Sequence, residues 1–147
     1  MKRLGLLAIL ALMLLPLTFS TTAQDEEMVF GLSLPAVDGN FFEAIITSAN
    51  AAAEEAGITL NVAGAGWDSD AELSNVQTMI DDGADALMLL PVNLVDSANT
   101  VLAANEAGIP VYVMLTDLFP AEDVEIEIAG TIATPTEATG VKTAEYV

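Results

Sequence analysis

The side chains best placed for chemistry are aromatic, acidic, amide and hydroxyl groups that follow short apolar runs. These candidate ligand-binding residues are Asp38, Asn40, Phe41, Phe42, Trp67, Asp68, Asn93, Thr116 and Asp117. Aromatic rings can stack on flat apolar ligand surfaces, and the polar groups can exchange hydrogen bonds with a ligand. Because no Lys or Arg stands near them, they cannot pair a bound phosphate or carboxylate. A neutral polyhydroxylated ligand or a cation therefore fits these residues better than an anionic ligand does.

Each of these residues also has a purely structural interpretation. Phe41 and Phe42 could form the first buried turn of a helix instead of a stacking surface. The three aspartates could be turn residues or anions at helix N-termini. Trp67 follows a Gly-Ala-Gly segment that has no core of its own, which favours ligand contact for this residue.

The composition excludes several other classes of function. Three basic residues oppose 22 acidic ones, the formal net charge is −19, and the chain has no His or Cys. A surface that neutralises nucleic-acid phosphates therefore cannot be built. Zinc sites of the usual ligand types, thiolate nucleophiles and Ser-His chemistry are excluded as well. We expect no metal and no catalytic residue, with a glycoside hydrolase as a minor alternative.

A dinucleotide cofactor is also not expected. Gly64 and Gly66 follow an apolar run, as in the start of a dinucleotide-binding fingerprint, but Ser69 occupies the position of the third glycine. The carboxylates of Asp68 and Asp70 would repel a pyrophosphate at that place. We therefore predict binding rather than catalysis, without a cofactor.

A repeated pattern predicts the elements that must position these residues. Gly57, Gly83 and Gly108 each end a helical pattern and precede a short apolar run. Continuous apolar runs of this kind are typical of strands buried in a parallel sheet. The predicted strands are Val29 to Leu34, Thr59 to Val62, Ala86 to Leu90 and Pro110 to Leu115. The alternation predicts an α/β fold, with an open parallel β-sheet flanked by helices on both faces.

Polar residues with an acid three positions later predict where the helices begin. The predicted starts are Asn40, Ser69, Asn93 and Thr134. In the second helix, Leu73, Val76, Met79 and Ile80 form one apolar stripe, which we interpret as core. Ligands of open parallel sheets bind outside the carboxyl ends of the strands, where the nine candidate residues fall.

The N-terminus has the pattern of a secretory signal peptide. Lys2 and Arg3 precede an apolar stretch that is too short for a spanning helix and ends in small residues before Gln24. We predict a signal peptide over residues 1–23 with no lipoprotein cysteine, hence a periplasmic or extracellular protein without stable membrane insertion. Residues 24–117 are the predicted ligand-binding lobe. Residues 118–147 are the predicted hinge crossover and the start of a second lobe, which we expect to be truncated.

The chain resembles the type I periplasmic substrate-binding proteins of ABC importers, in particular the ribose-binding-like branch. The residues that carry this resemblance are Gly39 to Phe42, Ala52 to Ile58, Glu72 to Gln77, Gly83 to Asn93 and Ala103 to Val111. The resemblance implies two lobes that close on a sugar and deliver it to an ABC permease. It implies that Phe41 and Phe42 stack on the sugar ring, and that Asp38 and Asn40 bind its hydroxyls. It further implies a monomer that binds a sugar or related polyol.

One departure and one alternative accompany the resemblance. The family often has Asp-Arg after the fourth strand, where this chain has Leu115 and Thr116, which puts ribose itself in doubt. A sensory protein that presents a sugar, nucleoside or signal molecule to a chemoreceptor or kinase would share the same pattern. A sugar-responsive repressor would instead begin with a basic helix-turn-helix, and this chain does not.

Overall fold

Five parallel strands form one open sheet in the order β2-β1-β3-β4-β5. The structure is a computed structural model that describes residues 27–133. The elements within this range are β1 (Val29–Leu34), α1 (Asn40–Ala56), β2 (Thr59–Gly64), α2 (Ser69–Asp81), β3 (Ala86–Leu89), α3 (Ser97–Glu106), β4 (Val111–Met114) and β5 (Gly130–Ile132). The predicted α/β fold is therefore confirmed, and the four predicted strands each lie within two residues of their observed ends.

The main core lies between the sheet and helices α2 and α3. Strands β3 and β4 direct alternate apolar side chains to this face, and each helix adds an apolar stripe. The buried cluster consists of Val76, Met79, Ala84, Leu87, Leu89, Val101, Ala104, Val111, Val113 and Leu118. Because a crossover between parallel strands is right-handed, the step from β1 to β2 places α1 on the opposite face from α2 and α3. Leu32 and Leu34 are fully buried on the α1 side.

Gly31 in β1 allows α2 to approach the sheet closely. A Cβ atom at this position would lie 2.5 Å from Cδ2 of Leu87 and 2.6 Å from Sδ of Met79. Both of these side chains are buried in the core, at 1% and 4% exposure respectively. The lack of a side chain at residue 31 therefore lets Leu87 and Met79 pack against the backbone of β1.

The segment that follows β4 packs back onto the same core. Leu118 is buried there, and Ile126 and Ile128 pack against the cluster. The side-chain amide of Asn105 donates to the carbonyl of Glu127 at 3.0 Å and accepts from its N–H at 2.7 Å. The segment held by these contacts is followed directly by β5. The apolar pattern of the sequence does not predict this strand. The predicted division at residue 117 stays a prediction.

The helix starts differ in detail from their predicted positions. Helix α1 begins at Asn40, but the residue before it, Gly39, takes the N-cap position and no side chain caps the helix. Helix α2 begins at Ser69, but its cap is Asp68 rather than Ser69. The turn before α3 is capped by Asn93, and the regular helix begins only at Ser97. The predicted start at Thr134 lies outside the described residues, as does the predicted signal peptide.

Candidate functional site

The loops that leave the first three strands are joined at the carboxyl edge of the sheet. The N–H of Ala65 donates to the carbonyl of Leu34, and the N–H of Trp67 donates to the carbonyl of Pro35, both at 2.9 Å. The N–H of Leu90 donates to the carbonyl of Ser33 at 3.0 Å. These backbone hydrogen bonds connect the ends of β2, β1 and β3, which are neighbours in the sheet. We call this edge and its loops the carboxyl rim.

Three aromatic side chains form one cluster at the carboxyl rim. The ring centroids of Phe41 and Phe42 are 5.3 Å apart, and those of Phe42 and Trp67 are 5.9 Å apart. Both pairs are nearly perpendicular, with interplanar angles of 77° and 73°. Phe41 is 56% exposed and Trp67 is 65% exposed, while Phe42 is half-buried between them. The structure thus brings together the aromatic residues that the sequence analysis selected, and it leaves ring surface open to solvent.

The backbone that carries Trp67 is strained. Trp67 has φ of 65° directly after Gly66 at 62°, and Asp68 closes this turn with an N–H bond to the carbonyl of Ala65 at 3.2 Å. A non-glycine residue in this left-handed region costs roughly 1–2 kcal/mol. Strained residues of this kind cluster at binding sites, where the surrounding structure enforces them. Here the strained turn places an exposed indole next to the ring of Phe42.

The side chain of Asp68 is the N-cap of helix α2. Its Oδ1 accepts hydrogen bonds from the N–H groups of Asp70 and Ala71, both at 2.9 Å, so that it caps α2. Its other oxygen, Oδ2, makes no hydrogen bond with residues 27–133. Asp68 also borders a polar hollow of about 510 Å³ beside Trp67, together with Asp70 and Asp96. The structural interpretation of this aspartate is therefore correct for one of its two oxygens.

Asn93 lies in the loop after β3 and uses most of its polar groups within the protein. Its Oδ1 accepts from the N–H groups of Val95 at 2.8 Å and Asp96 at 3.1 Å. Its own N–H donates to Oγ of Ser97 at 3.2 Å, and its carbonyl accepts from the N–H of Ser97 at 3.1 Å. The side-chain Nδ2 makes no hydrogen bond with the described residues. Asn93 can therefore offer a ligand two N–H donors on one nitrogen.

The other predicted site residues lie on the same rim, and within the described residues no side-chain hydrogen bond joins them to the aromatic cluster. Asp38 and Asn40 are exposed in and after the β1 loop, next to Phe41 in the chain. Thr116 and Asp117 follow β4, and Thr116 Oγ1 donates to the carbonyl of Asp117 at 3.2 Å. Since neighbouring strands are about 4.8 Å apart, the end of β4 lies roughly 10 Å from the end of β1. Within residues 27–133, no side-chain hydrogen bond joins these four residues to the cluster.

The sequence analysis missed two residues at or below the rim. Phe119 is 62% exposed, and its N–H donates to the carbonyl of Leu94 at 2.8 Å, which ties the loop after β4 to the loop after β3. Glu72 is completely buried in α2. Its spacing of four and seven residues from Val76 and Met79 was the available signal, because these positions share one face of a helix.

The charged side chains in the described part of the chain are uniformly negative. Residues 27–133 contain 18 Asp and Glu and no Lys, Arg or His. Ion pairs within this range are therefore impossible, and an anionic ligand would meet only repulsion. Among the described residues, no group of three or more carboxylates could hold a metal ion. None of the described helices is long and apolar enough to cross a membrane.

Comparisons with known proteins identify a family model and several relatives that this chain resembles. A family model described as "Periplasmic binding protein domain" matches residues 30–147. The ribose import binding protein RbsB of Bacillus subtilis (strain 168) is 28% identical over 92 residues, which cover 63% of this chain and 30% of that protein. The chain thus spans less than a third of this relative.

Solved structures share the fold at lower identity. The periplasmic binding component of the arabinose ABC transporter from Shewanella sp. ANA-3, bound to L-arabinofuranose, has a TM-score of 0.67 at 22% identity. This match covers 81% of the chain and 39% of that protein. The fructose-binding periplasmic domain of a hybrid two-component system has a TM-score of 0.66 at 18% identity, covering 82% of the chain and 38% of the other. At these identities the likeness shows the fold alone.

Proposed function

Because the chain belongs to the periplasmic binding protein domain family, we propose that it forms the first lobe of an exported protein that binds a sugar or related polyol for an ABC importer. The observation that carries this proposal is the aromatic cluster of Phe41, Phe42 and Trp67, exposed at the carboxyl rim. Sugar rings present apolar C–H faces to aromatic rings and hydroxyls to polar groups, so both kinds of side chain are needed at one cleft.

The polar candidates complement the aromatic cluster in this proposal. The carboxylates of Asp38, Asp68 and Asp117 accept hydrogen bonds from hydroxyl groups, and Nδ2 of Asn93 donates to a hydroxyl or ring oxygen. Asn40 can do both, whereas Thr116, whose hydroxyl donates to the carbonyl of Asp117, can accept a hydrogen bond from the ligand. Because the described lobe has no cationic side chain, a neutral ligand is favoured over a sugar phosphate or a sugar acid.

The proposed mechanism is closure of two lobes around the ligand. The chain spans about 30–40% of the length of the relatives it matches, and the rest of the polypeptide would supply the opposing lobe. A ligand that contacts both lobes binds the closed state better than the open state, and so shifts the population toward closure. The closed form is the one that a permease would recognise. We propose a periplasmic monomer for this role.

A sensory role is the second candidate. The described lobe also has the fold of the fructose-binding periplasmic domain of a two-component system. In this alternative, the closed protein would present a sugar, nucleoside or signal molecule to a chemoreceptor or kinase instead of a permease. Deletion of the gene distinguishes the two candidates: loss of uptake of the identified ligand supports import, whereas normal uptake with a lost transcriptional or chemotactic response supports sensing.

A thermal-shift screen tests the binding proposal. The complete polypeptide is melted with sugars, polyols and nucleosides, since a ligand specific for the native state raises the melting temperature by mass action. We expect a neutral sugar or polyol to raise Tm in the parent protein and much less in a Phe41→Ala/Trp67→Ala double variant. Tyr112→Ala is the matched control, because Tyr112 is an exposed aromatic residue within β4 and away from the rim loops. A shift with nucleosides alone would refute the sugar assignment, and an equal shift in the double variant would refute the aromatic site.

A further inference from the structure

A buried carboxylate lies directly beneath the loop that follows β3. Glu72 is in the first turn of α2 and is 0% exposed. Burial of an ionisable group in an apolar core is costly unless its oxygens accept hydrogen bonds. No cation is available in residues 27–133 to pair with it. An apolar side chain would fill the same space at no such cost, which suggests that the hydrogen bonds of Glu72 matter.

Both oxygens of Glu72 accept hydrogen bonds from other elements. Oε2 accepts from the N–H of Val92 at 2.8 Å, in the loop between β3 and α3. Oε1 accepts from Oγ1 of Thr100 at 3.1 Å, on α3, and this bond is buried. One side chain therefore joins α2 to the β3–α3 loop and to α3.

The residue next to Val92 in the chain is Asn93. Its backbone and Oδ1 are held by Ser97, Val95 and Asp96, so that the loop is fixed on its α3 side. The bond from Val92 to Glu72 fixes the same loop on its α2 side. The two sets of bonds together determine where Nδ2 of Asn93 lies at the carboxyl rim.

We propose that Glu72 is a positioning residue, which holds the Val92–Asn93 backbone so that Asn93 presents its side-chain amide to the ligand. The ligand part of this inference rests on the proposed function, whereas the loop part does not. Glu72 acts through the backbone of Val92 and does not itself touch the ligand. A purely structural role would instead make Glu72 one of many core residues, with no special effect on the loop or on binding.

Amide hydrogen exchange and calorimetry on the complete polypeptide test this proposal. Glu72→Met removes both acceptors at similar volume, and Glu72→Gln keeps one acceptor for Val92 while its amide can donate to Oγ1 of Thr100. Val76→Ala is the matched control, because it removes buried volume from the same helix without removing a hydrogen bond to the loop. Glu72→Asp keeps the carboxylate but shortens its reach, and it serves the same test should the Met variant not fold.

We expect Glu72→Met to speed exchange of the Val92 amide by at least about tenfold relative to the Leu87 amide, and to weaken sugar binding by about tenfold. In Glu72→Gln, the exchange rate of the Val92 amide and the sugar affinity should both stay within about threefold of the parent values. Val76→Ala should change the exchange of both amides together and leave affinity unaltered.

Three outcomes would overturn the proposal. Uniform loss of protection in Glu72→Met would show that Glu72 only stabilises the fold. Faster exchange of the Val92 amide alone, with unaltered sugar affinity, would show that Glu72 holds the loop but that the loop does not contribute to sugar binding. Failure of Glu72→Gln to restore the loop would show that the hydrogen bond to Val92 is not the cause. If the parent protein binds no sugar, the proposed function fails, while the exchange pattern still decides whether Glu72 holds the loop.

Discussion

The indole of Trp67 lies edge-to-face against the ring of Phe42, with centroids 5.9 Å apart and an interplanar angle of 73°. The two residues are 25 positions apart in the chain, yet strands β1 and β2 are parallel neighbours, so the loops after them meet. The contact joins a half-buried ring to a ring that is 65% exposed. This arrangement anchors the exposed ring without covering it.

Two substitutions of Trp67 distinguish the energetic cost of its backbone strain from the contribution of its ring to ligand binding. Trp67→Ala and Trp67→Gly both remove the ring, but only glycine tolerates φ of 65° without cost. We therefore expect Trp67→Gly to be more stable to unfolding than Trp67→Ala by about 1 kcal/mol. Both variants should bind sugar roughly tenfold more weakly while remaining folded. Urea unfolding and calorimetry provide the two measurements, and an unaltered affinity would return Trp67 to a structural role.

Gly31→Ala tests the close contact between β1 and α2. The added methyl would overlap with Leu87 Cδ2 and Met79 Sδ, so these two buried side chains would have to shift within the core. We expect a loss of about 1–3 kcal/mol in the free energy of unfolding, as is typical of overpacked cores.

A double-mutant cycle identifies the cause of that loss. In a Leu87→Ala background, the space left by the missing side chain should accept the new methyl, so that Gly31→Ala costs less than in the parent. An equal cost in both backgrounds would show that the remaining close approach to Sδ of Met79, rather than the contact with Leu87, causes the loss.

The sheet and the aromatic cluster could be predicted because both follow from short-range patterns. The strands are continuous apolar runs, and the carboxyl ends of parallel strands must share one edge. Strand β5 was missed because its three residues, Gly130–Ile132, are too short and too exposed to form an apolar run. Its position depends instead on Ile126 and Ile128, which pack on the core.

Local hydrogen bonding was harder to predict than topology. Asp68 and Ser69 are both good capping residues, and only the backbone geometry shows that Asp68 accepts the N–H groups of α2. Glu72 follows the predicted helix start at Ser69 by three residues, a position typical of an exposed first-turn acid, and it does lie in the first turn of α2. Its burial follows from the approach of Val92 and Thr100, two residues that are 20 and 28 positions away in the chain.

Asn105→Asp tests how the segment after β4 is attached to α3. Asparagine both donates to and accepts from the backbone of Glu127, whereas aspartate cannot donate and would bring a charge to the carbonyl oxygen. We expect the variant to lose about 1–3 kcal/mol of stability.

Asn99→Asp is the control for this charge change. Asn99 is exposed on the same helix, and its side chain makes no hydrogen bond with the described residues. Its substitution should cost less than about 0.5 kcal/mol. Because Asn99 is in the first turn of α3 and Asn105 is in the last, the helix dipole alone separates the two variants by about 0.6–2 kcal/mol, and only a difference beyond this range is assigned to the lost pairing. Similar losses at both positions in urea unfolding would mean that added negative charge, and not the lost pairing with Glu127, destabilises the lobe.

Because the surface is acidic, we expect a new positive charge to stabilise the protein by an amount that depends on its position along a helix. Asp70 lies in the first turn of α2 and Asp82 follows its last turn, and both are exposed. Asp70→Lys and Asp82→Lys relieve similar repulsion, since residues 27–133 contain no basic side chain. The helix dipole favours the cation at the C-terminus and disfavours it at the N-terminus, by about 0.3–1 kcal/mol each. We therefore expect Asp82→Lys to be more stable than Asp70→Lys by about 1 kcal/mol.

Urea unfolding at two salt concentrations measures this difference, because urea is uncharged and does not screen the surface. At low ionic strength the gap between the two variants should be largest. In about 1 M NaCl, where the Debye length falls to roughly 3 Å, both the gap and the gain of each variant over the parent should shrink. Equal stabilisation by the two substitutions would mean that net charge alone governs the stability of the lobe. A gap that persists in high salt would instead indicate a specific contact of one of the new lysines.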